Sequence, residues 1–172
     1  VLDYYYQEYQ EVHTKMWMDK IGLDEYEKNE IDLVSELIVL LERTEIDMTI
    51  FFRLLSEVDS PDVKNLNFAF YSPESSSQKE WNDWLQKWWV GVDGSPNRNK
   101  MRSVNPKYVL RNWMAQLAID AAEKGDFTVA EELYNLLKLP YEEQPEFEAN
   151  WFQKRPEWAK HRVGCSMLSC SS

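Results

Sequence analysis

The sequence predicts an all-α protein, an irregular bundle of about six helices over residues 1–139 followed by an extended tail over residues 140–172. Three observations lead there. Apolar residues recur at steps of three and four through most of the first 139 positions, the period of a helix with one covered face. Caps and breakers punctuate the repeats at intervals suited to helices. No two alternating segments joined by a tight turn read as a strand pair.

The first helix is predicted from Leu2, Tyr5, Tyr9, Val12 and Met16, which fall on one face. Gly22 follows its last turn and suits the C′ position, where φ must be positive. A second helix runs from about Asn29, as its cap, through Ile31, Val34, Leu37, Ile38 and Leu41. Asp47 is placed to cap a third, carrying Met48, Phe51, Phe52 and Leu55, with Pro61 beyond its end. Residues 59–76 are irregular, and Phe68, Phe70 and Tyr71 pack there as an apolar loop or a short strand. Ser77 and Glu80 form a capping-box pattern ahead of a helix with Trp81, Trp84, Leu85 and Trp88 in one stripe. Residues 90–99 read as a loop. Asn105-Pro106 looks like a helix start, with Asn as cap and Pro at the first position, leading to Val109, Trp113, Leu117 and Ala121 and stopping at Gly125. Asp126 caps the last regular helix, which carries Phe127, Ala130, Leu133, Leu136 and Leu137 and ends before Pro140. The remainder lacks sustained period and wraps the surface with Phe147, Trp151 and Trp158 as anchors.

Composition narrows the function. With 44% hydrophobic and 14% aromatic residues, including eight Trp, the chain can bury a core. Thirty acids against 19 bases give a formal net charge of −11, which opposes binding to nucleic acid or an anionic membrane. One stretch runs the other way: Arg98, Lys100, Arg102, Lys107 and Arg111 have no acid among them. It reads as a solvated loop and helix start, or as a docking surface for an acidic element. No apolar run approaches the roughly 20 residues of a membrane span. The opening Val1-Leu2-Asp3 has neither Met nor a basic leader, and helical patterning begins at once, so the chain reads as part of something longer.

Generic catalytic signatures are missing. The five glycines are not clustered into a phosphate loop, and Gly91-Val92-Asp93-Gly94 reads as a turn. His13 and His161 stand far apart with no metal-ligand spacing, and His13 takes a surface or packing role near Tyr9 and Met16. The pairs Glu42 with Glu45 and Glu131 with Glu132 read as water-facing acids. The stripe Trp81, Trp84, Trp88, Trp89 reads as a core face, with a partner groove as the alternative. The two cysteines, Cys165 and Cys170, both lie in the last eight residues, which is no disulfide framework. Cys170, in a small polar terminal run, is an accessible thiol or an inert frayed end.

The order of short motifs carries a resemblance. Lys20-Ile21-Gly22-Leu23 closes the first helix, and Asp47-Met48-Thr49-Ile50-Phe51-Phe52-Arg53-Leu54-Leu55-Ser56 follows. Then come Asn105-Pro106-Lys107-Tyr108-Val109-Leu110-Arg111-Asn112-Trp113, Gly125-Asp126-Phe127, Leu139-Pro140-Tyr141, Pro156-Glu157-Trp158 and the terminal Ser169-Cys170-Ser171-Ser172. This succession resembles the C-terminal part of the selenoprotein O (YdiU) family across essentially the whole chain. The resemblance implies a parent with a kinase-like fold, a pseudokinase that transfers AMP from ATP to hydroxyl side chains of proteins with Mg or Mn. It implies that the catalytic and metal-binding residues belong to the N-terminal two-thirds of the family, so none is assigned here and no ATP or metal is expected on these residues. The implied partners are that N-terminal kinase-like region and protein substrates. The implied compartment is cytoplasmic in bacteria and mitochondrial in eukaryotes. Cys170 stands third from the end, where family members carry selenocysteine or cysteine, which implies a redox role with a partner cysteine elsewhere in the parent. Cys165 is the local alternative partner. Three functions follow as expectations: a scaffold for the catalytic region, a non-catalytic helical interaction module, and a thiol redox protein using Cys165 and Cys170.

Overall fold

A computed structural model describes residues 2–23, 28–73, 78–163 and 165. Among these residues the secondary structure is helical, as expected, with nine α-helices and one 3-10 helix. The chain divides into two compact units, Val1–Asn105 and Pro106–Ser172.

In the first unit, α1 (Leu2–Ile21) ends as its sequence predicts. Gly22 adopts φ +76°, its N–H donates to the Asp19 carbonyl at 3.2 Å, and the Leu23 N–H donates to the Met18 carbonyl at 3.0 Å. These two bonds satisfy carbonyls that the helix end would otherwise leave open. A Cβ on Gly22 would stand 2.9 Å from the Met101 sulfur, so both the backbone angle and the space call for glycine. Helix α2 spans Lys28–Arg43, and α3 spans Met48–Leu55. Asp47 caps α3 as expected, its Oδ1 accepting from the Ile50 N–H at 3.1 Å. The irregular stretch that follows holds a 3-10 helix, Val63–Ala69, and a single antiparallel bridge between Ile46 and Phe70 in place of a strand. The capping box expected at Ser77 lies outside the described residues.

Helix α4 (Gln78–Gly91) supplies the centre of this core. Trp81, Trp84, Leu85 and Trp88 are all buried, which makes the tryptophan stripe a core face. Each indole N–H finds a separate acceptor: Trp81 donates to the Thr44 hydroxyl at 3.0 Å, Trp84 to the Leu33 carbonyl at 2.9 Å and Trp88 to the Ile21 carbonyl at 2.7 Å. One helix is thereby fastened to the body of α2, the end of α2 and the end of α1. Phe51 of α3 fills the gap, 5.2 Å from Trp81 and 6.4 Å from Trp84 between ring centres.

The Asn105-Pro106 reading requires correction. Asn105 ends a helix instead of starting one. Helix α5 (Arg98–Val104) occupies part of the expected loop, capped by Asn97, whose side chain accepts from the Lys100 N–H. The Asn105 N–H closes it on the Met101 carbonyl. Asn105 is extended (φ −111°, ψ 99°), as a residue before proline prefers. Its side chain is taken by tertiary bonds: Nδ2 donates to the Lys20 carbonyl at 2.7 Å and Oδ1 accepts from Lys20 Nζ at 3.2 Å. The buried Arg53 side chain donates to the Asn105 carbonyl at 3.1 Å and to the Arg102 carbonyl at 3.4 Å, covering the carboxyl end of α5.

In the second unit, α6 begins later than expected, at Asn112–Ala122, and pairs with α7, Thr128–Leu137, as a helical hairpin. Gly125 sits at its turn with φ +83°, and Asp126 Oδ1 accepts from the Thr128 N–H at 3.0 Å. Residues beyond 140, expected to run extended, include α8 (Pro145–Trp151) and the short α9 (Glu157–Lys160). Of the expected anchors, Trp151 is buried and stacks on Trp113 at 5.9 Å, Phe147 is half-buried, and Trp158 is exposed.

Candidate functional site

The expected apolar face of α1 is not a core face. The side chain of Leu2 lies outside the described residues; Tyr5, Tyr9, Val12 and Met16 are exposed, Tyr5 by 62% and Tyr9 by 54%, and among the described side chains of this helix the buried ones are Met18 and Ile21 in its last turn. The exposed rings are ordered among themselves. Positions four apart on a helix are neighbours, so Tyr5 lies over Tyr9 at 6.4 Å and Tyr9 over His13 at 5.6 Å. Trp17 continues the series, its indole N–H donating to His13 Nε2 at 3.1 Å and its ring meeting Phe52 of α3 at 5.9 Å. That bond fixes His13 with Nε2 as the acceptor. The histidine thus has the packing role expected of it. The ladder runs from the core at Phe52 out to rings that face water.

The basic stretch is answered from within. In the first unit, Arg102 makes a two-point bond to Glu57, with Nε at 2.6 Å and Nη2 at 2.5 Å from its two oxygens. Arg98 pairs with Asp59, and Lys100 lies 3.3 Å from Asp19. Burial works against ionised Glu57, but bonds from Arg102 and Ser56 outweigh it and hold its carboxyl below the usual value. For Asp19 burial likewise opposes, and Lys15 and Lys100 prevail to lower it. This pairing leaves little of the stretch to act as a docking surface for an outside acid.

In the second unit, Lys107 has a side chain only 6% exposed, and its ammonium reaches Glu143 at 2.9 Å and Glu148 at 2.7 Å. It also lies 5.2 Å from the centre of the Phe152 ring. Burial alone would lower the lysine; the two carboxylates reverse this and raise it. Tyr108 beside it donates its hydroxyl to the Glu143 and Gln144 carbonyls at 3.0 and 3.1 Å. The same segment is pinned through its backbone, the Lys107 and Tyr108 N–H groups both donating to the Pro140 carbonyl. Sequence reading missed this node, because its acids lie 36 and 41 residues from the lysine and no local pattern announces them. Its geometry is that of a clamp on residues 140–152.

Of the two candidate thiols, Cys165 is a free cysteine, only 7% exposed. Its carbonyl accepts from the Asn112 side chain at 3.5 Å. Cys170 lies outside the described residues. Of the acids read as water-facing pairs, Glu132 accepts from the Trp151 indole. A groove of about 440 Å³ runs along α2 and α4, lined by Val39, Leu40 and Trp84 and bridged by the Lys87–Glu36 ion pair at 2.7 Å. Among the described residues no three His, Cys, Asp or Glu side chains gather in a way that could hold a metal ion. No helix of the described residues is long and apolar enough to cross a membrane.

The outer turns of α1 thus present exposed aromatic rings, and similarity to known proteins gives the family. Residues 1–138 match the family model described as protein adenylyltransferase SelO. The protein nucleotidyltransferase YdiU of Flavobacterium johnsoniae is 46% identical over 173 residues, covering 93% of this chain and 33% of its own length. Those of Aromatoleum aromaticum and Rhodopirellula baltica are 42% and 41% identical, covering 99% and 98% of this chain and 34% and 35% of their own lengths. The chain thus spans about a third of the relatives it matches. On this footing the chain belongs to the protein adenylyltransferase SelO family.

Proposed function

We propose that these residues are the C-terminal helical region of a SelO-type pseudokinase that transfers AMP from ATP to Ser, Thr or Tyr hydroxyls of proteins. In this reading the nucleotide and its Mg or Mn are handled by an N-terminal kinase-like region. The helices support that region, and the terminal segment brings Cys170 to it as a redox group. The observation that carries the reading is that relatives named as protein nucleotidyltransferases are about three times as long as the segment they share with this chain. The open face of α1 supports the scaffold role. The burial of Cys165 restricts reagent access and so supports Cys170 over Cys165 as the redox group. Bacterial relatives support a cytoplasmic setting, and a eukaryotic source would make it mitochondrial.

The test is AMP transfer from labelled ATP to a protein acceptor, with Mg or Mn present. The intact polypeptide to which this reading assigns the chain should label the acceptor. Deleting these helices should abolish labelling, and the 172 residues alone should give none. Labelling by the 172 residues alone, or full activity without them, overturns the reading. Mass-tagging with iodoacetamide tests the thiols: Cys165 should react slowly and Cys170 fast, and equal rates remove the distinction.

The tyrosine ladder also favours a second reading, a non-catalytic interaction module that works through α1. That reading expects a monodisperse, inert chain with a separate protein partner. Loss of AMP transfer on deleting the helices excludes it.

A further inference from the structure

We infer that the outer three turns of α1 are the surface that seats the rest of the family protein, receiving an apolar element with a basic border. The inference rests on the scaffold reading above and names its contact face. Tyr5, Tyr9, Val12 and Met16 are exposed and share one side of the helix, a strip roughly 16 Å long at 1.5 Å per residue. Four large side chains in one row, with rings already stacked on one another, make a contiguous patch of the kind that marks an interface. Their mutual stacking also reduces the ordering cost of docking, because the rings are held before a partner arrives.

Charge selects the occupant. Between residues 4 and 14 the helix carries exposed Glu8 and Glu11 and no Lys or Arg, the first base being Lys15. Glu8 flanks Val12 at the edge of the strip and the chain as a whole carries −11, so a partner that covers the strip has a basic border there. A second copy of this chain is the wrong partner, because it would bring together two molecules that each carry a net charge of −11. The remaining two-thirds of the family protein is the occupant of sufficient size.

Tyrosine nitration by tetranitromethane, read by peptide mass spectrometry and normalised to N-acetyltyrosine amide, tests this. In the 172-residue chain Tyr5 and Tyr9 should nitrate at close to the reference rate. In the intact polypeptide both should slow about tenfold, as closed contact surfaces do. Equal rates in the two proteins overturn the assignment. So does slow nitration in the 172-residue chain at all dilutions, which would mean that the face is already covered. A double variant, Tyr5→Glu with Tyr9→Glu, gives a second reading. It should lower the unfolding midpoint of the intact polypeptide and leave that of the 172-residue chain unchanged. Loss of fold in the 172-residue chain would show these rings to be structural and overturn the assignment. Calorimetry separates the two levels. One joint unfolding transition with equal nitration rejects this face and keeps the scaffold; independent transitions for the helices and the remainder reject the scaffold itself.

Discussion

Helices α1 and α4 carry aromatic rings at the same helical spacing and put them to opposite use. On α4, Trp81, Trp84 and Trp88 are fully buried and each donates its indole N–H to another segment of the first unit. On α1, Tyr5 and Tyr9 touch each other and His13 and then face water. The period of a pattern locates a face, but it does not say what covers it. The residue types hold a further hint. The α4 stripe is tryptophan, whose large apolar ring gains most from full burial, while the α1 stripe is tyrosine, whose hydroxyl remains satisfied by water in the uncovered state.

The sharpest way to break the comparison is Trp84→Ala. Trp84 is 1% exposed, lies between Trp81 and Trp88, and holds the Leu33 carbonyl, so its loss should cost about 3–5 kcal/mol in denaturant unfolding. A cost like that of an exposed ring would make α4 no more a core helix than α1.

Lys107→Met comes next and sets the second unit's own anchor beside that of α4. It should cost about 1–3 kcal/mol by leaving Glu143 and Glu148 without their cation, less than a fully enclosed pair because both acids are half exposed. The folded-state value of Lys107 is raised above its ordinary one. The stabilisation it provides is therefore complete below the unfolded value and fades as pH rises through the folded one. Unfolding followed into the alkaline range should show this fade in the native sequence and lose it in the variant.

Glu57→Gln has a smaller effect, below about 1 kcal/mol, because the Glu57–Arg102 pair is partly exposed and screened. Here the sign is opposite. The Glu57 carboxyl is held below its ordinary value, so its contribution is present above the unfolded value and disappears as pH falls through the folded one. Acid unfolding of the variant should start from lower stability and change less over that range. Tyr9→Ala should be the mildest, within about 0.5 kcal/mol in the 172-residue chain, as befits a surface ring. A cost near that of Trp84→Ala would give α1 a hidden structural role and erase the contrast.

Local signals in the sequence located what local physics decides. Asp47 caps α3, Gly22 takes its positive φ, and the tryptophans of α4 form the core. Asn105-Pro106 failed because two local preferences compete there. Asn followed by Pro suits a helix start, yet the extended backbone that proline imposes on the preceding residue serves a helix end equally well. Lys20 and Arg53, far off in sequence, decide the matter by binding Asn105 and its carbonyl. Residues 106–111 then run without helix until Asn112, and Val109 and Leu110, read as helical, lie exposed. The basic stretch was visible as a run of charge, but its neutralisation by Glu57, Asp59 and Asp19 depends on folded proximity. The spacing on α1 is that of a core helix, so the period alone could not show its uncovered side, and only the use of tyrosine in place of tryptophan hinted at it.

The Pro140 carbonyl, shared by two successive amides, has a consequence for kinetics. Lys107 N–H at 2.8 Å and Tyr108 N–H at 3.1 Å lean on one oxygen that arrives only after the intervening hairpin of α6 and α7 has closed. Neither amide can be shielded from deuterium before that loop is made, and both are released when it opens. Their exchange should therefore keep common time, a two-proton clock for the opening of this unit that can be read without altering a single residue.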